Sequence, residues 1–544
     1  MARSKLTLLL CTIGVMLILA VGCTSSESSN DSGSNNKPAA TEGSEAKETQ
    51  AGSEAAAPAP GGTFKVAVPE DAVILGNPPT IMKQNDPDNS APAVERLFRR
   101  DRQGEPVPFL AESYSIADDH LSITIELKQG IKFHDGSDFN AQVVKWNLDR
   151  YIATERAEMA NVQSVEATGD YSVKLLLKKY DGMLLQYLSA IPGMMVSQKS
   201  VEENGEAWAE THPIGTGAYR FVSWNRDQSI VYERFDDYWQ GTPNLDKLVI
   251  EVIVDPFAQK ASFEKGEVDA IKSLSPKDAN DLKQSDKFNV EASELAASLL
   301  GLLPDSALPD SKFADLKVRR AIWHAIDFEA IANTLGYGYH ESTFQLGTKA
   351  SGAYNPDVKG YPYDPEAAKA LLKEAGYENG FATKLYAQNT PGYADILTAV
   401  QGFLQGVGID AKVELLDQGK YFEMLTGGPE KGGWKDGLAI VPFTIVPNEL
   451  GAYSRLLGPG VSAARLPVLY NPDEMQSLIG QASVESDPAK TKQLVHQLQK
   501  VATDEHAALY WIYATKTISA TQPYVKGANF ASANWTPEQI TLEK

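Results

Sequence analysis

The chain has 544 residues, 43% of them apolar and 9% aromatic, and carries a formal net charge of −21. Such a length predicts roughly two to four domains with sizeable cores. The acidic balance excludes nucleic acid as a partner, because phosphate contacts need a basic face and no Lys/Arg run supplies one.

At the start, Arg3 and Lys5 precede an uncharged run from Leu6 to Val21, the length of a signal h-region. "LAVGCTSS" then sets Ala20 and Gly22 directly before Cys23. This resembles a bacterial lipoprotein signal, in which residues 1–22 are removed and the Cys23 thiol is acylated; a retained membrane-spanning helix is the alternative. Residues 23–60 contain almost nothing apolar beyond alanine. They cannot bury enough surface to offset their conformational entropy, so a disordered tether is expected there.

Folded sequence is expected from Gly61. "GGTFKVAV" alternates as a strand does, and "SITIELKQGIKF" puts Ile123, Ile125 and Leu127 on one face. "YSVKLLLKKY" reads as a further strand, and "KLVIEVIVD" as a more deeply buried one. "KVRRAIWHAIDFEAIANTL" carries one helical stripe through Val318, Ile322, Ala325, Ile326 and Ile331. In "YDPEAAKALLKEAGYENGF", Asp364 is an N-cap, Pro365 fits the first helical position and Gly376 the C-terminal cap. "GYADILTAVQGFLQGVG" predicts a helix before the alternating strand "IDAKVELLD". A last helix starts at Asp487-Pro488 and leads into the strand "AALYWIYATKTISAT". Helices alternating with strands point to α/β layers with mixed sheets.

Several of these segments carry a resemblance. "GEPVPFLAESYSIADDHLSITIELKQGIKFHDGSDFNAQVVKWNLDR" (104–150) is similar to a block of the extracytoplasmic solute-binding proteins of ABC importers, in the peptide/nickel-binding family 5 group. "PIGTGAYRF" with "YWQGTPNLDKLVIEVIVD", then "FEKGEVDAI", "KVRRAIWHAID" and "YPYDPEAAKALLKEAGYENGF", resemble further blocks in the same order. The resemblance implies an α/β, two-lobed periplasmic-binding-protein-like fold of type II, in the large cluster with an extra subdomain. The first lobe would hold residues 61–105, 210–298 and 509–544, the inserted subdomain 106–209, and the second lobe 299–508. A solute would bind between lobes that close about a hinge.

The resemblance also implies partners: a solute or peptide, a permease and an ATPase, and the membrane through the lipid on Cys23, with the protein itself a monomer outside the cytoplasm. No "GxxxxGK[ST]" loop is present, so hydrolysis lies in another subunit. Peptide binders of the family hold the ligand amine with an Asp from a segment matching residues 436–457 here. Phe443 stands near the family's Trp, and Val446 or Asn448 near that Asp, so the carboxylate is missing in either register. Asn448 suits a neutral polar group, and Glu449 is a substitute anion if its side chain does not face outward. Trp434, Phe443, Tyr453, Trp511 and Tyr513 are candidate cleft aromatics, with lobe packing the alternative for each. Asn77, in "LGNPP", is the first-lobe candidate. Oligosaccharide and metal chelate remain alternative ligands, and a sensor of the same fold is the alternative function.

Other chemistries lack their residues. The two cysteines, Cys11 and Cys23, lie within the first 23 positions, so no disulfide framework, cysteine zinc site or cysteine nucleophile is available beyond them. No "GxSxG" and no zincin helix occurs, and the seven histidines are scattered without metal spacing, so neither an enzyme nor a cofactor or bound metal is expected. His134-Asp135-Gly136 reads as a turn, and Tyr238 and Trp239 as scaffold beneath the Gly241–Pro243 loop.

Overall fold

The computed structural model describes residues 61–83, 86–427, 433–445, 448–461, 465–530 and 535–544. The expectations for the signal segment, Cys23 and the 23–60 tether, and for Val446, lie outside the described residues.

Eighteen strands position the site: β1 (Thr63–Val68), β2 (Phe98–Arg100), β3 (Pro106–Pro108), β4 (Ala111–Ile116), β5 (Ser122–Leu127), β6 (Val162–Gly169), β7 (Ser172–Leu177), β8 (Tyr219–Asn225), β9 (Ser229–Arg234), β10 (Lys247–Val252), β11 (Ala270–Lys272), β12 (Asn289–Ala292), β13 (Ser298–Pro304), β14 (Phe381–Gln388), β15 (Ile409–Leu416), β16 (Gly437–Thr444), β17 (Tyr510–Thr515) and β18 (Ile518–Thr521). A seven-stranded sheet ordered β12-β18-β11-β1-β10-β9-β8 forms the first lobe. A five-stranded sheet ordered β15-β14-β16-β13-β17 forms the second. Between β3 and β8, a four-stranded sheet ordered β4-β5-β7-β6 stands on its own. The alternation read in β5 holds: Ile123, Ile125 and Leu127 are all buried. In β10 the consecutive residues Leu248, Val249 and Ile250 are buried, as a strand covered on both faces requires.

Two segments differ from the sequence reading. "AALYWIYATKTISAT" is not one strand: β17 pairs with β13 in the second lobe, and β18 pairs with β11 and β12 in the first. The chain therefore recrosses at Lys516-Thr517, not at the expected 508/509 boundary. The stripe in 317–335 is likewise two helices, Leu316–Ala325 and Phe328–Gly336. Ile326 is extended (φ −109°, ψ 125°), and the Asp327 side chain caps the second helix by accepting from Ala330 N–H. A local cap outcompetes continuation of the stripe.

Residues 293–297 and 516–517 are the two connections between the large sheets, and they hydrogen-bond to one another. Ser293 N–H donates to Thr517 O (2.9 Å), Ala297 N–H to Thr515 O (2.8 Å), and Thr517 N–H to Ser293 Oγ (3.0 Å). A double connection tied in this way has the form of a hinge.

Inside the first lobe, Glu95 is buried at 4% exposure and receives Tyr238 Oη–H (2.7 Å), Trp239 Nε1–H (2.9 Å) and Thr216 Oγ1–H (2.8 Å). Arg99 adds an ion pair at 3.7 Å. Tyr238 and Trp239 are thus scaffold, fixed by a carboxylate. Gly215 and Gly217 lie so close to the backbone of Pro92 and Ala93 that a Cβ on either would overlap it. His134-Asp135-Gly136 is a turn with Gly136 at φ 78°; Asp135 accepts from the Ser137, Ser197 and Ser200 hydroxyls.

Candidate functional site

Both sheets present the C-terminal ends of parallel strands to the hinge. In the first lobe β1, β10 and β11 are parallel. Since β18 runs antiparallel to both β11 and β12, β12 runs with β11 and leaves for the hinge from that same edge. In the second lobe β14, β15 and β16 are parallel, and Thr444, the last residue of β16, pairs with Ser298, the first after the hinge. Open α/β sheets bind ligands outside these strand ends. The segments that follow them are the candidate walls of a cleft between the lobes.

On the first-lobe wall, the short helix Asp86–Ser90 follows the β1 loop, and Asp88 Oδ2 pairs at 2.5 Å with Nζ of Lys272, the last residue of β11. Asp88 keeps 45% of its side-chain surface accessible, yet burial is the strongest influence on its carboxyl. Burial alone raises its pKa; the charges of Lys272, Arg96 and Arg100 outweigh it and hold the carboxyl below the usual range. Burial also pushes Arg96 down to about 10, against the pull of Asp88, so Arg96 stays charged at neutral pH. Its Nε is buried with no hydrogen-bond partner.

On the second-lobe wall, Asn448 caps the helix Glu449–Leu457, its Oδ1 accepting from Gly451 N–H at 3.0 Å. Glu449 accepts the Ser351 hydroxyl, and burial raises its pKa. Its charge acts on Glu105, in the β2–β3 connection of the first lobe, whose own pKa burial and Asp101 also raise. Glu449 is thus held by Ser351 of its own lobe, near enough to Glu105 for its charge to be felt there. The 106–209 segment touches the second lobe where Gly182 N–H donates to Ser483 O (3.2 Å) and Met183 packs with Leu450, Ala482 and Val495.

Of the residues singled out in the sequence, Asn448 lies at this edge. Asn77 is 1% exposed and committed to the 106–209 segment: Nδ2 donates to Glu206 (2.9 Å) and Oδ1 accepts from Arg150 (2.8 Å). Four aromatics are packed inside the second lobe. Phe443 meets Trp511 edge-on at 5.0 Å, Trp434 Nε1–H donates to Gly437 O (3.2 Å), and Tyr453 Oη–H donates to Gln499 Oε1 (2.6 Å). Tyr513 stacks at 4.0 Å on His340, whose pKa burial lowers to about 4. Sequence reasoning passed over Asp88, Arg96, Arg100 and Lys272. A usable signal was present: a lysine closing the segment "DAIK" at a strand's C-terminal end, and three arginines within five residues at 96–100. Among the described residues, no group of three or more His, Cys, Asp or Glu is placed to hold a metal ion.

Comparison with known proteins gives one consistent result. The family described as bacterial extracellular solute-binding proteins, family 5 Middle, matches residues 105–430. The glutathione-binding protein GsiB of Escherichia coli O1:K1 / APEC is 30% identical over 424 residues, covering 75% of this chain and 81% of GsiB. Among solved structures, Brucella suis NikA in complex with Fe(III)-EDTA superposes with a TM-score of 0.79 at 24% identity, over 88% of this chain and 100% of NikA. The Helicobacter pylori periplasmic binding protein DppA in complex with the peptide STSA gives 0.73 at 23% identity, over 89% and 99%. These structures share the two-lobed binding-protein fold.

Proposed function

The chain belongs to family 5 of the bacterial extracellular solute-binding proteins, which serve ABC importers outside the cytoplasm, and from that membership we propose that it closes its lobes on a small peptide or peptide-like solute and delivers it to a membrane permease. The reading rests above all on one observation. Two sheets, joined by a pair of hydrogen-bonded crossings, face each other through strand ends that carry desolvated charges: Asp88 and Arg96 on one side, Glu449 on the other. A solute that contacts both walls stabilises the closed arrangement over the open one. Glu449 is the side chain we assign to a ligand amine, in place of the family's missing aspartate, because a buried ammonium needs a paired anion. The glutathione named for GsiB and the peptide named for DppA supply the solute class.

The test is thermal denaturation and small-angle scattering with reduced glutathione, di- and tripeptides, oligosaccharides and nickel chelates. Peptides are expected to raise the melting temperature and to contract the particle. No compaction with any solute, or consumption of a solute by the purified protein, overturns the reading. The proposal includes tethering through acylated Cys23 and action as a monomer. Palmitate labelling that persists in Cys23→Ala would remove the tether, and a concentration-dependent mass in solution the monomer.

A further inference from the structure

We propose that Met183 is a latch: its contact with the second lobe sets how many molecules stand closed before a solute arrives, and so tunes solute affinity from a side chain that touches no solute; this rests on the solute-capture reading above. Met183 precedes the short helix Leu184–Leu188 of the 106–209 segment. Leu184 and Leu188 are buried in the same apolar core as Phe64 and Ile250 of the seven-stranded sheet, which anchors this helix to the first lobe. Met183 turns the other way. It is 4% exposed and packs on Leu450, Ala482 and Val495, one from each of the second-lobe helices Glu449–Leu457, Asp473–Val484 and Pro488–Lys500. Its loop is held in place: Asp181 accepts from Met183 N–H (3.0 Å) and from Asn161 Nδ2–H (2.8 Å), and Gly182 N–H donates across the seam to Ser483 O (3.2 Å).

The seam is small and stands alone. Its four buried side chains form a cluster separate from the large core on either side. Rotation about the 293–297 and 516–517 connections carries the first-lobe core one way and the three helices the other, so opening parts the seam and returns Met183 to water. Exposing apolar surface is unfavourable, and the contact therefore favours the closed form. A seam of this size biases the lobes without locking them. A solute that binds only the closed form is held with an affinity that scales with the closed share. The seam also abuts the side chain assigned to a ligand amine. Leu450 follows Glu449 in the chain, and Ala353, packed against the seam, donates its N–H to Ser351 Oγ (3.1 Å), whose hydroxyl donates to Glu449. Closure thus docks Met183 beside the residues that support Glu449, and Met183 acts through them as a positioning residue.

The experiment compares the wild type with Met183→Ser and Met183→Leu, by small-angle scattering without solute and by isothermal titration with reduced glutathione and Ala-Ala-Ala. Met183→Ser is expected to have a larger radius of gyration than the wild type before solute is added, to contract more on its addition, and to bind about three- to tenfold more weakly. Met183→Leu keeps an apolar side chain of similar volume and is expected to bind within about twofold of the wild type. A side chain that only stabilised its own segment would lower the melting temperature on substitution and move neither the radius nor the affinity. Val495→Thr makes the same seam polar from the second lobe and gives the same comparison if Met183→Ser does not fold. An unchanged radius, a larger radius with unchanged affinity, or a loss as large in Met183→Leu overturns the latch and leaves solute capture standing. Binding of neither probe by the wild type, with no compaction, overturns solute capture and the latch with it.

Discussion

Two carboxylates seven residues apart, Glu95 and Asp88, organise charge in the same lobe and do opposite things with it. Glu95 is closed on itself: three neutral donors and Arg99 surround it, and nothing more is needed to satisfy it. Asp88 keeps 45% of its side-chain surface accessible and pairs with Lys272, and the charges of Arg96 and Arg100 act on it as well. Both are desolvated, yet burial wins at Glu95, raising it to about 7, and cations win at Asp88, lowering it. The neighbours, not burial alone, decide which way a desolvated carboxylate shifts.

The comparison breaks most readily on stability. Glu95→Ala leaves the Tyr238, Trp239 and Thr216 donors without their acceptor, and a destabilisation of about 3–5 kcal/mol is expected in urea unfolding. Asp88→Ala removes a carboxylate that is 45% accessible, so a smaller loss of about 1 kcal/mol is expected. Millimolar inorganic phosphate should restore part of that loss in Asp88→Ala and none in Glu95→Ala. Equal losses, or phosphate rescue of both, would erase the distinction. A still smaller effect tests the aromatics. Tyr453→Phe removes the hydroxyl bound to Gln499 and is expected to cost about 1 kcal/mol while leaving peptide affinity unchanged. A weakened affinity in that variant would bring Tyr453 back to the cleft.

These contrasts explain what was readable in the chain. Strands with a clear period, such as β5, and helices with a local cap, such as that after Asp364, follow from nearest neighbours and were legible. The split of 507–521 was not: β17 and β18 have the same composition as a single strand, and only pairing with β13 or β11 decides their sheet. The second-lobe aromatics looked like a cleft because aromatics stack on solutes. Phe443 and Trp511 instead pack on each other across β13, on a side that sequence spacing alone does not reveal. The Asp88–Lys272 pair escaped notice for a related reason: its members are far apart in the chain and meet only when β11 docks beside β1.

The pH dependence sharpens the comparison with the least perturbation. Glu95 in the folded protein titrates near 7, against 4.5 for an ordinary glutamate. Between those values the folded state holds a proton that the unfolded chain has released, so this group's contribution to stability declines as pH rises from about 4.5 to about 7. Asp88 is shifted the other way, below 3.8. Its contribution is complete above that value and is lost as pH falls through the folded pKa. Burial lowers His134 and His340 to about 4 from 6.5, so both add a loss on acidification that is common to every variant. Differences between variants cancel it. Urea midpoints from pH 3 to 7.5 should therefore diverge in opposite directions: Glu95→Gln gains on the wild type as pH rises toward 7, and Asp88→Asn gains on it as pH falls below 4. Parallel profiles for the two variants would mean that the two carboxylates share one environment, and the contrast between burial at Glu95 and cations at Asp88 would not exist.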